Sequence, residues 1–111
     1  MKFLLLFLCC FSFVFVEDLK ELRNYIEDIE SGNMDVPYDL IYSYDKIIPN
    51  NPVYLYLRGL IEVDGSKSIG YYKKLYNLDP KHEFADDAAM KIGEYYYSIG
   101  YYIQASEVSE N

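Results

Sequence analysis

The sequence predicts an all-α fold built from antiparallel helical hairpins stacked side by side. Three observations predict it. Apolar residues recur at three- and four-residue steps through almost every stretch after residue 17, Gly and Pro punctuate those stretches at short intervals, and no segment keeps the two-residue alternation of a strand. Tyr and Ile favour strands, yet YLYL (54–57) and EYYY (94–97) each lie inside a longer helical stripe. With 111 residues, 51% hydrophobic and 25% charged, the chain has the size and composition of one small domain.

Residues 1–16, MKFLLLFLCCFSFVFV, carry one Lys near the start, then an apolar or small run from Phe3 to Val16, before the chain turns acidic at Glu17 and Asp18. That is the outline of a secretory signal peptide, with cleavage expected after Val16. A cut after Ser12 would suit the preference for small residues better, but cleavage after Val16 leaves the whole polar chain in the mature protein. The apolar run is 14 residues long, short of the roughly 20 that a spanning helix needs, so no stable membrane span is expected. Cys9 and Cys10 raise the question of lipidation, against which Leu8 and Cys9 stand where a small residue precedes a modified Cys. Both cysteines leave with the signal, which removes disulfides, thiolate nucleophiles and cysteine metal sites from the mature chain. Cleavage also removes Lys2, so nine basic residues face 18 acidic ones, a formal charge of −9. Such a chain repels nucleic acid and anionic membrane surfaces, and any electrostatic preference is for basic partners.

Taken in order, EDLKELRNYIEDIESG places Leu19, Leu22, Ile26 and Ile29 on one helical face, with Gly32 positioned to end the helix. DLIYSYDKII follows Pro37 with a stripe of Leu40, Ile41, Tyr44, Ile47 and Ile48. PVYLYLRGLIEV carries Val53, Leu57, Leu60 and Ile61 and stops at Asp64-Gly65, and SKSIGYYKKLYNL aligns Ile69, Tyr72, Leu75 and Tyr76 before Asp79-Pro80. Residues 83–98 show Phe84, Ala88, Ile92, Tyr95 or Tyr96, and Ile99 on a common face, with Glu83, Asp86 and Asp87 in the first turns where the helix dipole favours negative charge. YYIQASEVSEN reads as a further helix beginning after Gly100, a residue expected to supply the positive φ that ends the one before.

Sliding the chain on itself by 28 residues lays Tyr44–Pro52, YDKIIPNNP, over Tyr72–Pro80, YKKLYNLDP, with Tyr, Lys and Pro in place and Ile47 over Leu75. A second signal lies around KIGEYYYSIGYYIQAS (91–106). Here Ala89, Ile92, Gly93, Tyr96 and Ala105 keep the spacing W-x2-L-G-x2-Y…A, with Ala in the place of Trp. On these residues the chain resembles tetratricopeptide repeat (TPR) proteins. Pro80, Phe84, Ala85, Ala88, Gly93, Tyr96, Gly100, Tyr102 and Ala105 are placed as in periplasmic members such as the Tol-Pal coordinator and the BamD-like outer-membrane assembly lipoproteins. The likeness is good over residues 80–105, moderate over 66–80 and weak before that. Gly59 heads an earlier and degenerate unit, with Arg58 and Glu62 where apolar or aromatic residues are usual.

The resemblance implies a short TPR-like solenoid: an N-terminal helix pair over residues 17–48, itself a degenerate repeat, a degenerate repeat over 49–80, and a repeat over 81–111 that looks truncated. Ser109 stands where the pattern has an aromatic, and no closing Pro follows. It further implies interior packing for Ala89, Ile92, Gly93, Tyr96, Gly100, Tyr102 and Ala105, with Gly93 and Ala105 letting two helices approach. Tyr95, Tyr97 and Tyr101 fall off the signature places and are the candidate partner contacts. The implied role is a non-catalytic adaptor or scaffold in the periplasm or another extracytoplasmic part of the cell envelope, binding a partner protein on a tyrosine-rich groove. The alternative is a structural part of a larger envelope-assembly or division protein with no binding specificity of its own.

Catalytic chemistry finds little footing. His82 is the single histidine, and its His-x-x-x-Asp spacing to Asp86 reads as an acidic helix start rather than a metal site. GLIEVDGSKS lacks the Gly-Lys-Ser/Thr triplet of a phosphate loop and follows no strand. No serine-hydrolase or zinc-protease motif occurs, and nothing calls for a cofactor. A small hydrolase resting on His82 is the distant third reading.

Overall fold

The computed structural model describes residues 18–110, with side chains described as far as Tyr101. The signal-peptide reading therefore falls outside the described residues, as do the side chains of Tyr102 and Ala105. Among the described residues the regular structure is helical throughout and there is no strand. Helix α1 covers residues 18–30, α2 is Tyr38–Ser43 and runs into a 3₁₀ turn at Tyr44–Lys46, α3 is Pro52–Ile61, α4 is Gly65–Leu78 and α5 is Ala85–Glu110. The chain divides into two compact units between Ile48 and Pro49.

In the first unit, α1 buries Leu22 and Ile26, the centre of its apolar stripe. It ends where Gly32 takes φ +99°. The Gly32 N–H donates to the Ile29 carbonyl at 3.0 Å and the Asn33 N–H to the Asp28 carbonyl at 2.8 Å, the paired bonds that close a helix on a left-handed glycine. After Pro37, α2 buries Ile41, and Tyr44 is buried in the 3₁₀ turn. The expected stripe through Leu40 and Ile47 does not hold: Leu40 is exposed on α2 next to the buried Ile41, and tightening to three residues per turn from Tyr44 swings Ile47 outward, leaving it 66% exposed. The Tyr25 hydroxyl donates to the Glu21 carboxylate at 2.6 Å. Burial, that bond and the neighbouring negative charge push the Tyr25 hydroxyl up to about 12. Burial, followed by the Asp18 carboxylate, raises Tyr44 as well.

In the second unit, Asn51 caps α3, its side chain accepting from the Val53 N–H at 2.9 Å and the Tyr54 N–H at 3.4 Å, with Pro52 at the first helical position. Val53, Tyr54, Leu55, Tyr56 and Leu57 are all buried, so α3 is enclosed nearly all round, as a helix apolar on every face must be. Asp64 caps α4 by accepting from the Ser66 N–H (3.0 Å), the Lys67 N–H (3.3 Å) and the Ser66 hydroxyl (2.7 Å). The Ser66 hydroxyl bond, with the Lys67 amide next, holds the Asp64 carboxyl below its usual range. The short connection Glu62–Asp64 forces α4 back along α3, and α4 turns Ile69, Tyr72 and Leu75 inward. Helix α5 then returns along α4. Phe84, just before it, stacks on Tyr56 with ring centroids 4.6 Å apart and planes 8° from parallel, while Ala85 and Ala88 are fully buried.

The two stretches related by the 28-residue offset differ in local structure. Tyr44 and Tyr72 are both buried, but Ile47 is exposed where Leu75 is fully buried, and a 3₁₀ turn stands against the middle of an α-helix.

The hairpin expected at Gly100 is not formed. Helix α5 passes through Gly100 without interruption, and the residue keeps a negative φ. A glycine inside a helix costs only about 1 kcal/mol, too little to stop one whose following residues, YYIQAS, continue it. At Gly32 the chain beyond is NMDVP, which cannot continue a helix, and there the glycine does end it.

Candidate interaction surface

The second unit is organised by two glycines that face aromatic rings. A Cβ at residue 59 would lie 2.6 Å from Tyr72 Cζ and 2.8 Å from Cδ1, so α3 and α4 meet at a point where only hydrogen fits. The Ser68 hydroxyl donates to the Gly59 carbonyl at 2.7 Å beside this contact. At the adjoining positions, Arg58 Nη2 donates to the Tyr71 hydroxyl at 2.6 Å and its guanidinium lies 4.7 Å from the centre of that ring. Gly65, at the start of α4, is covered by the Tyr95 ring of α5, where a Cβ would come within 2.6 Å of Cε2. Between these contacts is an open cavity of about 330 Å³, lined among others by Glu62, Ser68, Lys91, Glu94 and Tyr95. Its charged groups are of mixed sign.

Helix α5 carries two opposed stripes. At 3.6 residues per turn, Ala85, Ala88, Ile92 and Tyr95 share the face turned to the core, while Met90, Tyr97 and Tyr101 lie about 180° away, within about 40° of one another. The outer three are 64%, 78% and 65% exposed. Asp86, Asp87 and Glu94, all exposed, lie within about 60° of the same line. Apart from the adjoining residues and the backbone of α5 itself, nothing among the described atoms stands within 4 Å of the place a Cβ would take at Gly93 or Gly100, so a smooth strip runs beside the tyrosines.

The residues singled out in the sequence are therefore sorted differently by the structure. Of those assigned to interior packing, Ile92 is half-buried, but Ala89, Gly93 and Gly100 are exposed and Tyr96 is 49% exposed. The close approach lies at Gly59 and Gly65 instead, because α3 is the helix buried all round and Tyr72 and Tyr95 are the rings that reach its hairpin. Tyr96 sits at the edge of the α4–α5 contact, hydrogen-bonded to Lys73, whose ammonium is 4.9 Å from the ring centre. Of the candidate partner contacts, Tyr97 and Tyr101 are on the outer stripe, whereas Tyr95 is half-buried and belongs to the core face. Gly59, Tyr72 and Gly65 were the residues sequence reasoning undervalued; the available signal was a glycine within the most apolar helix, facing a tyrosine across a three-residue turn.

His82 serves the local turn: its Nδ1 accepts from the Phe84 N–H at 3.1 Å and its ring lies 5.5 Å from that of Phe84. Among the described residues no three His, Cys, Asp or Glu side chains converge on a metal-sized site, and no helix is long and apolar enough to cross a membrane. Compared with known proteins, the chain matches no family model, no curated protein and no solved structure.

Proposed function

We propose that the chain is a non-catalytic protein-interaction module, a TPR-like adaptor or scaffold of the cell envelope, whose partner docks on the tyrosine-bearing outer face of α5. The observation that carries this reading is the second apolar stripe on α5, Met90, Tyr97 and Tyr101, set opposite the face that the fold uses. Packing gives no reason for three large side chains in line on the solvent side, whereas Tyr offers contact area and a hydroxyl at low entropic cost. The succession α3, α4, α5, each returning along the one before with a glycine at the first crossing, supports the repeat-like reading. The apolar run ahead of Glu17 supports an extracytoplasmic location.

Photo-crosslinking in the native cell tests it. A photoreactive residue replacing Tyr97 or Tyr101 is expected to give the same protein adduct at both positions, with none from Lys74 on the exposed face of α4. Equal adducts at all three positions, or none at 97 and 101, would overturn the proposal.

A further inference from the structure

We infer that the occupant of this face is a basic helix of a partner protein, with an apolar stripe laid along Met90, Tyr97 and Tyr101 and Lys or Arg side chains reaching Asp86, Asp87 and Glu94. The inference rests on the docking role proposed above and adds the chemistry of the partner. Charge complementarity carries it. Three exposed carboxylates edge the stripe, one of them, Glu94, also lining the cavity, while the cation of the helix, Lys91, is half-buried. The chain already uses the matching interaction twice, with exposed Lys73 over Tyr96 at 4.9 Å and half-buried Arg58 over Tyr71 at 4.7 Å from the ring centres. The open faces of Tyr97 and Tyr101 offer the same seat to a cation brought by a partner.

The shape of the face favours a helix as the occupant. From Met90 to Tyr101 the stripe climbs three turns, about 16 Å along the axis. It forms a ridge, and the bare strip over Gly93 and Gly100 beside it is a trough into which a second helix can lower its own ridge. A second copy of this chain is disfavoured as the occupant. Two such faces would bring six carboxylates, three from each copy, into one interface with no cation to offset them on the stripe, and the whole chain carries a formal charge of −8.

A displayed library of random helical peptides, panned on the immobilised full-length chain with the Tyr97→Ala/Tyr101→Ala variant as counter-selection, tests the inference. Circular dichroism first establishes that each variant keeps its helix content. Enriched peptides are expected to be net basic, to lose about tenfold or more in affinity for the double tyrosine variant, and to lose about fivefold for Asp86→Asn/Asp87→Asn/Glu94→Gln. Added salt is expected to weaken the parent complex more than the complex of that triple variant. Tyrosine-dependent peptides that are neutral or acidic would overturn the charge inference and leave the docking role standing. Absence of any tyrosine-dependent peptide would overturn both. Sedimentation provides a further check, because a dimer of the chain that dissociates on Tyr97→Ala would make a second copy the occupant and overturn the inference.

Discussion

Replacing Gly59 by Ala places a methyl group 2.6 Å from Tyr72 Cζ, well inside the range real Cβ contacts occupy. Tyr72 has little room to yield: it is buried, and Tyr56 lies 5.7 Å away, ring centre to ring centre. Overpacking of this kind costs about 1–3 kcal/mol, while Ala in place of Gly returns about 1 kcal/mol through helix propensity. The net expectation is a loss of about 1 kcal/mol. Gly93→Ala meets open space on the same chain, so the propensity gain stands alone and stability rises by up to about 1 kcal/mol. The two single-methyl changes thus differ by about 2 kcal/mol with opposite signs, equivalent to a spread of about 10 °C in Tm for a chain of this size. Urea denaturation followed by far-ultraviolet circular dichroism reads the difference as a shift in midpoint at constant slope. A second comparison isolates the contact: with Tyr72→Leu in place, Gly59→Ala should lose the overpacking cost and keep the propensity gain, passing from a loss of about 1 kcal/mol to a gain of about 1 kcal/mol, a coupling energy of about 2 kcal/mol in a double-mutant cycle. If Gly59→Ala proves as stable as Gly93→Ala, the α3–α4 crossing is not where the structure places it.

The remaining predictions concern caps, titration and the outer stripe. Gly32→Ala forces a side chain into a φ of +99° and is expected to lower stability by about 1–2 kcal/mol in the same denaturation assay. Asn51→Ala removes the cap of α3 and should cost about 1 kcal/mol, with Asn51→Asp close to neutral. Tyr25 ionises late, so its neutral hydroxyl contributes stability that is fully present below pH 10 and is lost as pH rises through about 12. Absorbance titration of the native chain should show a tyrosinate fraction that lags the rest and moves earlier on Glu21→Gln. Asp64 has the opposite sense: its carboxyl is held low, so its stabilising effect is present above the ordinary carboxylate range and fades as pH falls through it, a fade that Asp64→Asn should abolish in acid denaturation curves. Tyr97→Ala and Tyr101→Ala should leave stability within about 0.5 kcal/mol of the parent, whereas Tyr56→Ala should cost about 3–5 kcal/mol.

Where helices begin and end was legible in the sequence wherever a stop had its own chemistry. Gly32 before NMDVP, Asn51-Pro52, Asp64 before Ser66 and Asp79-Pro80 all mark boundaries because each either supplies a cap or forbids the next turn. Gly100 lacked that support and was overrun. The core face of α4 could be read from its stripe as far as Leu75, since Ile69, Tyr72 and Leu75 are buried, whereas Tyr76, expected on the same side, is 42% exposed near the end of the helix. That of α5 could be read only in its first turns. From Ile92 onward the sequence offers Tyr95, Tyr96, Tyr97 and Tyr101, so both sides of the helix look alike in hydrophobicity and periodicity loses its contrast. Tyr95 faces inward and Tyr97 outward for a reason that lies on α4, where Gly65 leaves a space that a ring fills. That partner is 30 positions away along the chain, and no local pattern reports it. The repeat signature had the same blind spot, assigning the close approach to Gly93 because it weighs spacing and cannot weigh what stands opposite.

The opposed stripes of α5 also separate two kinds of constraint along one helix. Ala85, Ala88, Ile92 and Tyr95 answer to α4 and the hairpin, and a change at any of them is paid in folding. Met90, Tyr97 and Tyr101 answer to nothing within the described chain, so they are free to drift together without endangering the scaffold. Related chains should accordingly keep the first set nearly constant and vary the second as a block, which would make α5 a place where specificity evolves at little risk to the fold.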